Sequence, residues 1–301
     1  MCLFKIKKLI IEFFSKIPKK FLSIILMIIS GIFFVIMHSA VKYLSQEIHP
    51  FEIAFFRNVF VVIVLAPLII ISGYDIFFTK QPKIQFYRIL LNSFALICFF
   101  YGLSVTELAE ATALGFTVPI FATILSFLLL KEKLRLRRFS ALIIGFIGTL
   151  LVLRPDISIE IGSLLIILSS VLWSICLIFI KQLTITDNAI TISLYAGLGL
   201  VPLTFFVAIP VWTTPNITQI TIMFFISFFG TVAQTLMNSA LKRGEVAMLI
   251  PFDFLRLIWS GLLGYTLFVE TPEWTLWFGG TLIIGSTSYI AWREMIVKKV
   301  N

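Results

Sequence analysis

Asp253 and Arg256 stand three residues apart in the middle of an otherwise almost wholly apolar stretch, 246 to 269. At that spacing on a helix the two side chains share a face, so the carboxylate can neutralise the guanidinium. An arginine at the centre of a membrane-spanning helix costs about 2.5 to 3.5 kcal/mol on insertion scales, so Arg256 requires a partner or water. Two readings stand side by side. The pair is a structural bridge between helices, since buried ion pairs are often inert, or it is a binding site. In the second reading Arg256 grips a carboxylate or phosphate through two parallel hydrogen bonds, and Asp253 orients it or takes an ammonium.

Other polar residues fall inside apolar stretches. Arg57 and Glu52 are five residues apart, about 140° around a helix, and make a poor pair, so Arg57 is structural, snorkels outward or joins the site. His38 and Lys42 share one helix face. Gln234 and Asn238 form an i, i+4 amide pair and Asn92 is a third amide, each explained either by interhelical hydrogen bonds or by a ligand. Tyr101, Trp173 and Trp259 are aromatics able to line a cavity. Covalent chemistry has no such constellation: there is no His-Glu-x-x-His, no paired Asp and no Ser-Lys arrangement, with only two histidines in the chain. The expectation is no catalytic residue, no metal and no cofactor. Cys98 and Cys176 lie mid-helix and imply no disulfide framework.

Positioning such groups requires a membrane. With 59% hydrophobic residues, 13% charged residues and a mean hydropathy of +1.06, the 301-residue chain has too little polar surface to coat a soluble globule. Apolar runs of membrane-spanning length fall at 22 to 41, 51 to 71, 86 to 105, 110 to 130, 139 to 154, 161 to 180, 189 to 211, 217 to 241, 246 to 269 and 274 to 293. With the N-terminus inside, nearly all of the 24 lysines and arginines fall on the inner side, Arg88 among them. The outer side keeps Lys42 and Arg154, while Arg57 and Arg256 lie within spans. The net charge of +9 is therefore a topology signal, and no nucleic-acid partner is implied. Residues 1–20 read as an amphipathic basic helix on the inner leaflet, stopped by Pro18, with a frayed tail as the alternative. The sequon Asn216-Ile217-Thr218 in an outer loop is a triplet that chance readily produces.

The ten spans read as two copies of one five-helix unit, 21–155 and 161–293, followed by a basic tail, 294–301. A shift of 138 positions lays Ala111 to Glu132 on Leu249 to Glu270 and Glu107 on Glu245. An odd number of crossings per unit makes the second copy enter from the opposite face. The expected fold is thus all-α, ten transmembrane helices in two inverted repeats with both termini cytoplasmic. Inverted repeats of this kind mark secondary transporters, with substrate held between the halves. His38 and Glu52 are then the candidates for coupling to an ion. Pro119 and Pro251 supply bending points, and Gly145 with Gly148, and Gly261 with Gly264, let backbones approach. A non-transporting scaffold is the remaining alternative, and a homodimer is left open.

The stretch His49-Pro50-Phe51-Glu52-Ile53-Ala54-Phe55-Phe56-Arg57 resembles the opening of the second helix in the drug/metabolite transporter superfamily, EamA type. Leu130-Lys131-Glu132, Gly145-Phe146-Ile147-Gly148 and the second-half run from Pro251 to Glu270 are similar to further features of that family. The second half departs from the first at Tyr195, where Arg57 would repeat. Within the superfamily, residues 49 to 57 and the Pro251-Phe252 to Arg256 run look most like S-adenosylmethionine uptake carriers of intracellular bacteria. That resemblance implies an inner-membrane carrier of a small amphoteric metabolite, S-adenosylmethionine or an amino-acid-like solute, with an amino-acid or drug exporter as the alternative. It also implies a role for Trp173, Trp259 and Tyr101, whose rings can stack on an adenine or attract a sulfonium.

Overall fold

The computed structural model describes residues 19–72, 77–118, 120–122, 124–125, 136–153, 160–183, 185–243, 249, 252–253, 255–271 and 273–300. Residues 1–18 of the amphipathic segment expected over 1–20, Glu132, and both hinge prolines, Pro119 and Pro251, lie outside them.

Every described element is helical: α1 Lys19–Leu44, α2 Pro50–Ser72, α3 Pro82–Val105, α4 Leu108–Gly115, α5 Leu136–Leu153, α6 Ile161–Leu183, α7 Ala189–Leu198, α8 Val201–Ala208, α9 Ile217–Arg243, α10 Leu255–Phe268 and α11 Trp274–Val300, with a short 3-10 turn at Ile209–Val211. Pro50 and Pro82 open α2 and α3, where a missing N–H is harmless and the fixed φ suits a helix start. Among the described residues, six helices are long and apolar enough to cross a membrane: Phe21–Leu44, Pro50–Pro67, Pro82–Val105, Ile161–Ile180, Ile190–Val211 and Ile217–Ala240. Shorter apolar helices cover Leu108–Ala122, Ile143–Val152 and Leu255–Phe268.

Two of the expected spans are interrupted, each just before a proline. The stretch 189 to 211 divides into α7 and α8 because Pro202 has no N–H for the carbonyl of Leu198. In the stretch 110 to 130, α4 begins at Leu108 and stops at Gly115. There Phe116 N–H bonds Ala113 O at 3.1 Å and Thr117 N–H bonds Leu114 O at 3.1 Å, a tightened turn, before the chain becomes helical again at residue 118. The proline at 119 in the sequence has no N–H to offer the carbonyl of Gly115.

Packing recurs under the shift of 138. Antiparallel α1 and α9 are tied by Ser30 Oγ donating to Ala233 O at 2.8 Å; antiparallel α3 and α6 are tied by Ser169 Oγ donating to Ala95 O, also at 2.8 Å. The second bond is the first one moved by the repeat, to within one residue. The contact of α1 with α10 is likewise matched by that of α6 with α4. Helices α5 and α11, equivalent under the shift, run antiparallel against each other. A Cβ on Gly148 would lie 2.7 Å from Gly279 O, so glycine is what permits the approach.

Polarity is distributed inside out. Large apolar side chains face outward, including Ile70, Phe206, Ile217 and Trp274, while Ser23, Asn58, Gln85, Arg88, Asn92 and Thr112 are buried. A solvent of lipid tails explains an apolar exterior, and helices packing on each other there need small and hydrogen-bonding residues. The core joins Phe34, Met37 and Val41 of α1 to Ile53 of α2, Phe100 of α3, Leu114 of α4 and Ile226 of α9.

Candidate functional site

Arg256 opens the second half's contribution to the interior. Its Nη2 donates to Asp253 Oδ2 at 2.8 Å, the i, i+3 bond expected of one helix face. The guanidinium also lies over two rings, with Cζ 5.4 Å from the centroid of Phe34 on α1 and 5.2 Å from that of Phe116 at the break after α4. Gly31 makes room for its stem, since a Cβ there would stand 2.9 Å from Arg256 Cγ. The side chains of Arg256 and Asp253 nonetheless keep 20% and 18% of their surface accessible. Arg256 thus lies against α1 and the α4 break with part of its surface accessible. A Cβ built on Gly115, directly before Phe116, meets nothing within 4 Å, which puts open space at the break itself.

Arg57 enters from α2. Its Cζ is 5.8 Å from the Phe100 centroid, and its Nη1 donates to Asn58 Oδ1 across 3.4 Å, a long bond. Nε is buried with no hydrogen-bond acceptor. Gly230 of α9 receives this side chain as Gly31 receives Arg256: a Cβ there would lie 3.4 Å from Arg57 Nε and closer still to Met37 Sδ. His38 lies within electrostatic reach of both arginines, its ring 5.0 Å from that of Phe99 and 6.1 Å from that of Phe34. The stripe Gly31, Phe34, His38 and Lys42 on α1 therefore runs from Arg256 past Arg57 to the end of the bundle.

At that end the two halves are fastened. Lys42 Nζ pairs with Glu270, which follows α10, and donates to Thr106 O at the end of α3; the paired side chains are only 13% and 9% exposed. Glu270 Oε2 also accepts the Leu108 N–H at 2.9 Å, capping the start of α4 with negative charge, as a helix N-terminus favours. Phe268 lies under the Lys42 ammonium, 5.5 Å away. Glu107 beside this knot has its pKa raised by burial first and by the neighbouring Glu270 second.

The remaining candidates disperse. Glu52 accepts from the N–H of Thr213 at 3.0 Å and its hydroxyl at 3.2 Å, tying α2 to the loop after α8 and leaving Arg57 alone. Tyr101 packs against His49 and Phe51 near the Lys42 end, 5.9 Å from the latter ring. Gln234 Nε2 donates to Asn238 Oδ1 at 3.2 Å. Asn92 is buried on α3, Trp173 is half-buried on α6, and Trp259 keeps a buried Nε1–H without an acceptor.

Arg88 has a role that the charge count does not show. Counted from the sequence with the inner charges, it is 3% exposed and donates to Gln85 Oε1 and, at 3.0 Å, to Ile192 O of α7. Its long stem lets a residue two turns into α3 satisfy a carbonyl on a facing helix. The phenylalanines at 34, 99, 100 and 116 were also overlooked, and among 32 phenylalanines no sequence signal distinguishes them.

Charge thus converges between the first-half helices α1, α2 and α4 and the second-half helices α9 and α10, with no metal-binding cluster of His, Cys, Asp and Glu among the described residues. The profile of the EamA-like transporter family matches residues 21–154 and again residues 160–292. The chain belongs to the EamA-like transporter family. A member of this family is a multi-pass membrane transporter and not an enzyme. The chain is 28% identical over 256 residues to an S-adenosylmethionine uptake transporter of Rickettsia bellii, covering 84% of this chain and 87% of that one. It is 29% identical over 245 residues to a riboflavin transporter of Brucella anthropi, covering 79% and 86%. A solved crystal structure superimposes with a TM-score of 0.62 at 18% identity, over 87% of this chain and 95% of that one, a likeness of fold alone.

Proposed function

We propose that this EamA-like transporter is a secondary active carrier that takes up a small amphoteric metabolite, of the kind S-adenosylmethionine represents, across the inner membrane. Two inverted five-helix units with both termini cytoplasmic cross the bilayer ten times, and substrate binds between them, reached from each side in turn. One observation carries the reading: Arg57, His38, Asp253 and Arg256 gather inside the bundle around accessible space at the break after α4. A lone bundle scaffold has no use for buried charge that keeps contact with water, whereas an amphoteric solute needs both a cation and an anion to dissolve in. Trp173, Trp259 and Asn92 extend the site, with Gln234 and Asn238 toward the opposite end and His38 and Glu52 as coupling groups.

The name of the Rickettsia relative supports a sulfonium amino acid, and the charged pocket favours it over an uncharged flavin. Purified protein in liposomes preloaded with unlabelled S-adenosylmethionine is expected to accumulate the labelled compound, and Arg256→Ala to abolish accumulation at an unchanged level of membrane-inserted protein. Accumulation of riboflavin, and of neither S-adenosylmethionine nor any amino acid, would overturn the substrate class. Full exchange by Arg256→Ala would show that transport does not depend on the pair.

A further inference from the structure

We infer that Arg57, not Arg256, is the group that reads the acid of the substrate. This rests on the carrier reading above and assigns its anion subsite. Arg256 has its charge balanced by the Asp253 carboxylate at 2.8 Å and is flanked by the rings of Phe34 and Phe116, although its Nε, like that of Arg57, lacks an acceptor. A ligand carboxylate arriving there would meet a charge that Asp253 already balances. Arg57 has no such partner. It forms no ion pair among the described residues, its Nη1 has only a neutral amide oxygen at 3.4 Å, and its Nε has no acceptor at all. Glu52, on the same helix, is held by Thr213.

The formal charges of Arg57, Arg256 and Asp253 leave one positive charge in excess in the interior. A buried charge of this kind is stabilised by an incoming anion, and the planar fork of a guanidinium with free N–H groups matches a carboxylate or a phosphate oxygen pair. Gly230 admits the Arg57 side chain beside Met37, and Phe100 covers one face of the guanidinium. The ligand chemistry is therefore a single carboxylate or phosphate on an otherwise cationic or aromatic solute. The Asp253–Arg256 pair fixes α10 beside it.

The test compares S-adenosylmethionine, its decarboxylated form, and flavin mononucleotide beside riboflavin as ligands of the full chain in nanodiscs, by thermal shift and by competition in liposome uptake. The wild type is expected to favour the carboxylated over the decarboxylated compound by about tenfold or more, as a charge-assisted hydrogen bond warrants. Arg57→Gln should bring that ratio near one with affinity for the decarboxylated form kept, and Arg57→Lys should restore part of it. Arg256→Gln, in whatever fraction folds, should keep the ratio. A ratio that survives Arg57→Gln or vanishes in Arg256→Gln overturns the assignment. Preference for flavin mononucleotide over riboflavin that Arg57→Gln removes would identify phosphate as the anion instead of carboxylate. A second readout needs no substrate: phenylglyoxal should modify Arg57 ahead of Arg256 in peptide mass spectra, with L-methionine or inorganic phosphate protecting it. Should the wild type bind none of the nucleoside probes, the proposed substrate falls while protected labelling at Arg57 still upholds the subsite; labelling at Arg256 first, or no protection by either anion, rejects it.

Discussion

Arg256 and Arg57 are chemically the same group in two opposite conditions. Each keeps a buried Nε–H without an acceptor, but one is paired with a carboxylate and flanked by two rings, while the other forms no ion pair among the described residues. Each lies against a glycine of a facing helix, Gly31 and Gly230, so the difference does not come from how the stems are accommodated. It comes from the nearest acid on the same stretch of chain: Asp253, three residues away on the face of Arg256, against Glu52, five residues from Arg57 and turned to Thr213. A completed ion pair holds a fold, and an incomplete one waits for a ligand.

The contrast breaks hardest at Asp253. Asp253→Asn should lower stability by about 3 kcal/mol, toward the low end for a buried pair because both side chains keep some water, read as a fall in thermal-melt midpoint in detergent. Adding Arg256→Met to Asp253→Leu should recover most of that loss, since well-packed apolar residues often replace a buried pair without penalty, and it should not recover transport. Next comes Gly31→Ala, which forces a methyl against the Arg256 stem and should cost on the order of 1 to 3 kcal/mol by overpacking. Arg57→Gln should do the reverse of Asp253→Asn: the midpoint stays or rises by a degree or two while substrate discrimination is lost, because the fold gains nothing from a charge without a partner. A fall in midpoint comparable to that of Asp253→Asn would erase the distinction between the two arginines.

The smallest expected effect lies at Glu107. Burial and Glu270 raise its pKa in the folded protein, so the native state binds the proton more tightly than the unfolded chain does. Its contribution to stability is present at low pH and is lost as pH rises through the shifted value. Glu107→Gln should therefore raise the melting midpoint slightly at pH 8, by about 2 °C, and leave it unchanged near pH 4. An equal gain at both pH values would exclude titration of Glu107 as the cause.

Sequence reasoning went furthest where a local rule applies. The i, i+3 spacing of Asp253 and Arg256 was enough to foresee their hydrogen bond, and apolar runs were enough to place most helices within a few residues. The breaks at Phe116 and at Gly199 follow from the prolines at 119 and 202, although only the first was marked as a bending point. What stayed hidden were relations between distant helices. Lys42 gave no sign that it would reach Glu270 and cap α4 through it, and Arg88 looked like a loop charge because the count of basic residues ignores how far a long side chain extends.

The chain alone determined an apolar, helical membrane protein with a repeated unit and with charges at improbable depth, because hydropathy, helical period and the energy of a charge in lipid are properties of short windows. Which charge is satisfied and which is left over was decided only by tertiary structure. Partner choice depends on which helices are neighbours and how their glycines admit side chains, and one-dimensional spacing carries no such information.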